Sequence, residues 1–114
     1  YFGATQEAAY TAYVNFCTGR RAAGFKVVAV TVLPRSDPGT PGTFEASRTY
    51  CNSNIVANWA TFADALANVG ANANIGEAGD ENNLTYYTDD KVHLNTTGFG
   101  VVASIVAPAV SGLL

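Results

Sequence analysis

The sequence predicts an α/β domain of the doubly wound kind, in which helices cover both faces of a parallel β-sheet. Three observations lead to this class. Residues 25–33 form an almost unbroken apolar and β-branched run, which is typical of a strand covered on both faces. Segments with helical spacing of apolar residues lie before and after that run. The order of the segments (helix, strand, helix, weak strand, polar loop, helix) is the one that βαβ units produce.

The first predicted helix covers residues 7–23. Gly24 is a suitable C-cap, because glycine adopts left-handed backbone angles without strain. Arg20 and Arg21 then fall in the last turn, where positive charge suits the helix dipole. The apolar stripe of this helix consists of Ala8, Ala9, Ala12, Tyr13, Phe16 and Cys17.

The second predicted helix follows a loop at residues 34–42, which is rich in Pro and Gly. We expect this helix to begin at Thr43 or Phe44, with Thr43 able to act as N-cap, and to end near Asn68, before Gly70. Its expected buried face consists of Ile55, Val56, Trp59, Phe62, Ala63 and Leu66.

The remaining segment is polar before it becomes helical. Residues 71–87 are irregular, with a weak strand at residues 74–75 and a tyrosine pair, residues 86–87, that anchors the loop on the core. Asn95 or Thr96 is expected to cap a last helix over residues 97–107.

The predicted sheet is too small for an independent domain, because a buried strand needs neighbours on both edges. We therefore expect the second half of a domain, whose apolar surfaces are covered by another chain, by a second copy or by an N-terminal half. The sequence begins at Tyr1 without methionine, which fits a processed, trimmed or cleaved product.

Composition excludes several classes of partner. The chain has 114 residues, 48% of them hydrophobic, and a net charge of −3, which indicates one small folded domain. Beyond Arg20 and Arg21 there is no cationic cluster for nucleic acid. Pro108 and Gly112 interrupt the most apolar run, so no membrane span is expected. No signal peptide is visible, whereas few lysines and abundant Asn, Thr and Ala favour a secreted protein.

The two cysteines allow one disulfide, which we do not expect. Cys17 lies late in the first predicted helix and Cys51 early in the second. In parallel helices the two thiols would be separated along the helix axis beyond the reach of a disulfide. Two buried free thiols are the favoured interpretation.

The only histidine, His93, has two carboxylates just upstream, Asp89 and Asp90. A carboxylate that fixes the imidazole tautomer, beside a histidine that moves the proton, forms the orienting half of an acyl-transfer triad. Either aspartate can take that role on chemical grounds alone. The alternative is a surface histidine in an acidic loop with no catalytic part, which the spacing by itself favours.

No serine lies in a nucleophile motif, neither Gly-x-Ser-x-Gly nor Gly-Asp-Ser. Ser36 and Asp37 follow the buried strand, where they either line a substrate groove or simply form a turn before Pro38. Asp80 and Glu81 form a solvated loop more readily than a metal site. We expect no metal, because a lone histidine with no cysteine pair argues against structural zinc. We expect no cofactor, because no phosphate-binding glycine loop is present.

Residues 27–110 resemble the C-terminal half of the SGNH (GDSL-type) esterases and lipases. The resemblance rests mainly on the Asp-x-x-His block at residues 90–93 with the small-residue helix start that follows it, at residues 95–98. Residues 27–35 are similar to the penultimate strand of that family, and residues 44–48 with residues 58–59 are similar to the helix after it.

The resemblance implies a C-terminal portion of a flavodoxin-like three-layer αβα domain, incomplete as a single chain. It also implies an ester substrate, with Asp90 and His93 as the catalytic pair. The nucleophile block and both oxyanion-hole blocks of the family are absent, so an N-terminal fragment or a second copy is the expected partner.

Two functions follow from these expectations. In the first, the chain is part of a serine ester hydrolase and has little activity alone. In the second, it is a catalytically inactive fragment or remnant that self-associates or binds a partner or a glycan through an exposed sheet edge.

Overall fold

The computed structural model describes residues 4–114, and it is an α/β fold of three helices and a two-stranded parallel sheet. Two single-turn 3₁₀ helices, Val69–Ala71 and Asp80–Asn82, lie between the sheet and the last helix. The helices and strands are, in order, α1 (Gln6–Ala22), β1 (Val28–Val30), α2 (Phe44–Phe62), β2 (Ala65–Ala67) and α3 (Thr96–Ser111). The α/β class predicted from the sequence is confirmed.

The centre of the fold is one βαβ unit, in which α2 connects β1 to the parallel strand β2. The register pairs Ala29 with Leu66. α1 runs parallel to α2: the Tyr10 hydroxyl near its start donates to Asn54 O at 3.4 Å, and Arg21 near its end reaches Thr61 O at 3.3 Å. The last helix, α3, contacts β2 and the first 3₁₀ turn.

Two apolar clusters stabilise this arrangement. The first fills the space between α1, α2 and the sheet, and the second holds the polar loop against α3. The buried members of the first are Cys17, Ala29, Ile55, Phe62 and Ala63. Those of the second are Ile75, Tyr87 and Leu94.

The predicted second helix is too long. α2 ends at Phe62, and the alanine-rich residues that were expected to continue it form β2 instead. Asp64 explains the change, because its backbone N–H donates to Val27 O at 2.7 Å and its carboxylate accepts from Val27 N at 2.8 Å. This exchange fixes the chain beside the start of β1, so pairing with a strand outweighs the helix propensity of alanine.

Other predicted boundaries also shift. Only Val28–Val30 of the nine-residue apolar run belongs to the ladder, and residues 74–75 form a turn rather than a strand, although Ile75 is fully buried. The last helix continues through Pro108 to Ser111. Val56, predicted to be buried, is 41% exposed.

Side chains occupy the outer edge of β1. The Tyr13 hydroxyl accepts from Val30 N at 2.8 Å and donates to Val30 O at 3.0 Å. Two residues further on, the Asn52 amide forms the same pair of bonds with Val32, at 2.8 and 2.9 Å. A further strand could pair here only after displacing both side chains.

The cysteines behave as predicted. Cys17 and Cys51 are both free and buried. The Cys51 thiol lies 3.8 Å from Gln6 O, at the opening of α1, whereas Cys17 lies eleven residues along the same helix. That interval corresponds to about 16 Å of helix, well beyond the reach of a disulfide.

Candidate active site

The Asp-x-x-His block lies at the tip of a short hairpin. Tyr87 and Leu94 form an antiparallel bridge. It is extended on one side by Thr88 N donating to His93 O at 2.8 Å, and on the other by Asn95 N donating to a backbone carbonyl at 2.9 Å. Residues 89–92 form the turn between the two segments. The turn brings the side chains at the two ends of the block, Asp90 and His93, close enough to contact each other.

Asp90 and His93 are in direct contact. The distance from Asp90 Oδ2 to His93 Nδ1 is 2.5 Å. The other carboxylate oxygen, Oδ1, accepts from the Thr88 hydroxyl at 2.6 Å and from the backbone N–H groups of Val92 and His93, both at 2.9 Å. The loop therefore fixes the carboxylate through one oxygen and leaves the other for the imidazole.

These bonds favour the ionised carboxylate. They hold the pKa of Asp90 far below its usual range, with the imidazole hydrogen bond as the largest cause and the backbone and Thr88 donors behind it. Asp89, the other candidate, is exposed and forms no hydrogen bond or ion pair with the described residues. The geometry thus assigns the pairing with His93 to Asp90.

The second ring nitrogen of His93 faces open space. The side chain is 73% exposed, and Nε2 forms no hydrogen bond within residues 4–114. With Nδ1 directed at an ionised carboxylate, the neutral ring carries its proton on Nδ1 and presents the Nε2 lone pair outward. None of the five serines of the chain hydrogen-bonds to this ring. The pair can accept a proton, but it has no nucleophile of its own.

Asn95 connects the hairpin to α3. Its Oδ1 accepts from Gly98 N at 3.0 Å, which confirms the predicted N-cap. Its Nδ2 donates to Leu84 O and Thr85 O, both at 3.0 Å, and to Tyr87 O at 3.3 Å. The sequence indicates the cap but not these three bonds, which require loop carbonyls to converge on one amide.

Tyr87 anchors the hairpin on the core, as predicted for the tyrosine pair. It is 1% exposed, and its hydroxyl donates to Ile75 O at 2.6 Å. Burial, with smaller contributions from the charges of Asp80 and Glu81, raises the pKa of Tyr87 to about 12. The phenol therefore stays neutral in the folded protein at pH values where it ionises in the unfolded chain.

Tyr87→Phe is expected to reduce alkaline destabilisation. Above pH 10 the unfolded phenol loses its proton first, so the wild type loses stability as the pH rises; the Tyr87 contribution falls by about 1.4 kcal/mol by pH 11. Urea unfolding at pH 8 and pH 11 measures the difference. The variant is less stable at pH 8, since Ile75 O loses its donor, but it should lose less between the two pH values. Equal losses in the two proteins would contradict the assignment.

A second loop adjoins the hairpin. Ser36 N donates to Lys91 O at 3.1 Å, which ties the loop after β1 to the turn that carries the acid–histidine pair. Within that loop Asp37 accepts from the Thr40 hydroxyl at 2.5 Å and from the Arg35 guanidinium at 2.6 Å, and both bonds lower the pKa of Asp37. A pocket of about 290 Å³ lies between this loop, the start of α2 and the second 3₁₀ turn.

Arg48 is a supporting residue that the sequence did not single out. It is 6% exposed, and its Nη1 donates to Val32 O at 3.2 Å and to Gly76 O at 2.9 Å, while its other nitrogens bind Glu45. It thereby fixes the end of the β1 segment against the polar loop. The spacing of Glu45 and Arg48 was visible in the sequence, but the burial was not.

Metal ligands and membrane spans are not found in the described part of the chain. Over residues 4–114 no three His, Cys, Asp or Glu side chains are grouped as a metal ion requires. In the same residues no helix has both the length and the apolar character needed to cross a bilayer.

Comparison with known proteins adds no further assignment: no family model matches the chain, and no curated protein or solved structure is significantly similar to it.

Proposed function

We propose that this chain supplies the Asp–His half of a Ser-His-Asp site in a carboxylic ester hydrolase of the SGNH type. The observation that carries the proposal is the 2.5 Å contact between Asp90 Oδ2 and His93 Nδ1, with Nε2 left open. A merely incidental surface histidine has no need of a carboxylate fixed by three further donors.

In this proposal His93 acts as the general base. Its Nε2 takes the proton of a serine hydroxyl while the serine oxygen attacks the ester carbonyl, and it then returns the proton to the departing alcohol. Asp90 stabilises the imidazolium that forms between the two steps. Water, activated by the same nitrogen, then releases the acid from the acyl-serine. The serine and the oxyanion donors come from a polypeptide segment outside these residues or from a second chain.

The tautomer of His93 tests the orienting role without a nucleophile. Long-range ¹⁵N–¹H correlation spectra should show the proton on Nδ1 in the neutral ring, because the ionised Asp90 accepts it. In Asp90→Ala we expect the proton to move predominantly to Nε2. Asp89→Ala is the matched control and should leave the spectrum unchanged. The proposal would be refuted if the neutral wild-type ring were protonated on Nε2, or if the spectrum of Asp90→Ala were the same as that of the wild type.

The second candidate is a non-catalytic module that associates with a copy of itself or with a partner. It is favoured by an exposed apolar stripe on α3, where Phe99 is 59% and Val110 42% exposed, with Ala103 and Ala107 between them. Oligomeric state and hydrolysis together separate the candidates. A stable oligomer that hydrolyses no nitrophenyl ester when a Gly-Asp-Ser segment is supplied would favour the module over the esterase.

A further inference from the structure

The pocket beside the hairpin holds a buried carboxylate with one unused oxygen. Glu81 is 6% exposed, and its Oε2 accepts from Gly79 N at 2.8 Å. Its Oε1 has no hydrogen bond within residues 4–114, yet no fully buried polar side-chain atom of those residues lacks a partner. Oε1 must therefore be the part of Glu81 that reaches open space, and Glu81 lines the pocket.

The walls of the pocket carry both hydrogen-bond donors and acceptors. The charges of Arg35 and Asp37 are paired with each other, and Glu45 is paired with Arg48. The exposed Ser36 hydroxyl forms no bond within the described residues, so it remains available at the rim. A short apolar surface at Pro41, Phe44 and Ala78 completes the lining.

This lining suits a polyhydroxylated ring. Sugar hydroxyls both donate and accept, so they can donate a hydrogen bond to Glu81 Oε1 while accepting from neighbouring donors. The C–H face of the ring can lie on the small apolar surface. An acyl chain would strip water from the Glu81 carboxylate without replacing its hydrogen bonds. The volume of about 290 Å³ matches a ligand of monosaccharide size rather than a long chain.

We propose that the pocket lined by Ser36, Glu45 and Glu81 is a carbohydrate subsite that binds one sugar ring, with the accessible Oε1 of the otherwise buried Glu81 as its acceptor. The inference rests on the proposed function only for the role of the bound ring. The Ser36–Lys91 bond ties the loop that lines the subsite to the turn that carries His93, and a polyhydroxylated ring would be the alcohol side of the ester. Binding itself does not depend on catalysis.

Methyl β-D-glucopyranoside and methyl β-D-xylopyranoside are the probes, titrated into the ¹⁵N-labelled chain. We expect amide shifts confined to residues 35–45 and 78–81. Glu81→Gln should weaken binding about tenfold or more, as expected when a bond to a charged acceptor is lost. Glu7→Gln removes the charge of an exposed carboxylate that does not line this pocket, and as the matched control it should bind as the wild type does.

Ser36→Ala keeps the proposal falsifiable if Glu81→Gln does not fold, because the exposed hydroxyl has no structural bond to lose; it should weaken binding measurably. Two further probes test other kinds of ligand: tetrahydropyran has the ring without the sugar hydroxyls, and choline carries a positive charge. Binding of tetrahydropyran or choline in preference to the sugars, or sugar binding indifferent to both variants, would overturn the proposal. Sugar binding without His93-dependent hydrolysis would refute the esterase proposal but not the subsite. His93-dependent hydrolysis without sugar binding would refute the subsite but not the esterase proposal.

Discussion

His93→Ala is expected to lower kcat for a short-chain nitrophenyl ester by about 10⁵- to 10⁶-fold, measured with the segment that supplies the serine present. The loss is large because the serine and histidine of a triad act as a unit, so removing the base leaves the hydroxyl inert. The side chain is 73% exposed, so the substitution leaves no cavity in the core and the fold should survive.

The two neighbouring aspartates provide matched controls for this experiment. Asp90→Asn should lower kcat about 10⁴-fold, since an amide in that position no longer stabilises the imidazolium or selects the tautomer. Asp89→Asn changes the same charge one residue away and should have little effect, because Asp89 has no bond to the ring. Equal rates for His93→Ala and the wild type would refute the catalytic role. Equal losses from both aspartate variants would indicate a general charge effect instead.

Gly98→Ala is expected to destabilise the protein by about 3 kcal/mol or more and to disrupt the hairpin that carries the site. A Cβ at this position would lie 2.2 Å from Tyr86 O and 2.8 Å from Leu94 Cδ2. The first of these atoms is backbone that accepts the hydrogen bond from Asn95 N, so it cannot move without opening the base of the hairpin.

Gly100→Ala is the control within the same helix. A Cβ there meets nothing within 4 Å, so the higher helix propensity of alanine should stabilise α3 by up to about 1 kcal/mol. Urea unfolding measures both variants, and the His93 tautomer in Gly98→Ala reports on the site. A Gly98→Ala protein as stable as Gly100→Ala would show that α3 and the hairpin are not packed as described.

Several features of the structure could be predicted from short stretches of the sequence. The helical spacing of apolar residues and the glycine at position 24 predicted the bounds of α1 to within one residue at each end, although Phe16 of the predicted stripe is 68% exposed. The Asx-type cap at Asn95 and the tyrosine anchor at Tyr87 followed from residue type and position. Asp90 and His93 meet because they lie three positions apart across a tight turn, which is itself a local property. The catalytic role of this pair stays a prediction.

The sequence alone was therefore enough to predict the α/β class, the first helix, the Asn95 cap and the acid–histidine spacing, since the last three depend on near neighbours in the chain. The N-cap predicted at Thr43 was wrong, because that side chain forms no capping hydrogen bond. Tertiary structure alone decided that the alanines after Phe62 form β2 and that Arg48 and Glu81 are buried. The physical reason is that strand pairing and burial depend on groups far apart in the sequence. α2 ends and β2 begins only because Val27 lies beside Asp64. The Arg48 guanidinium can bind both Val32 O and Gly76 O only because the fold brings these two carbonyls together.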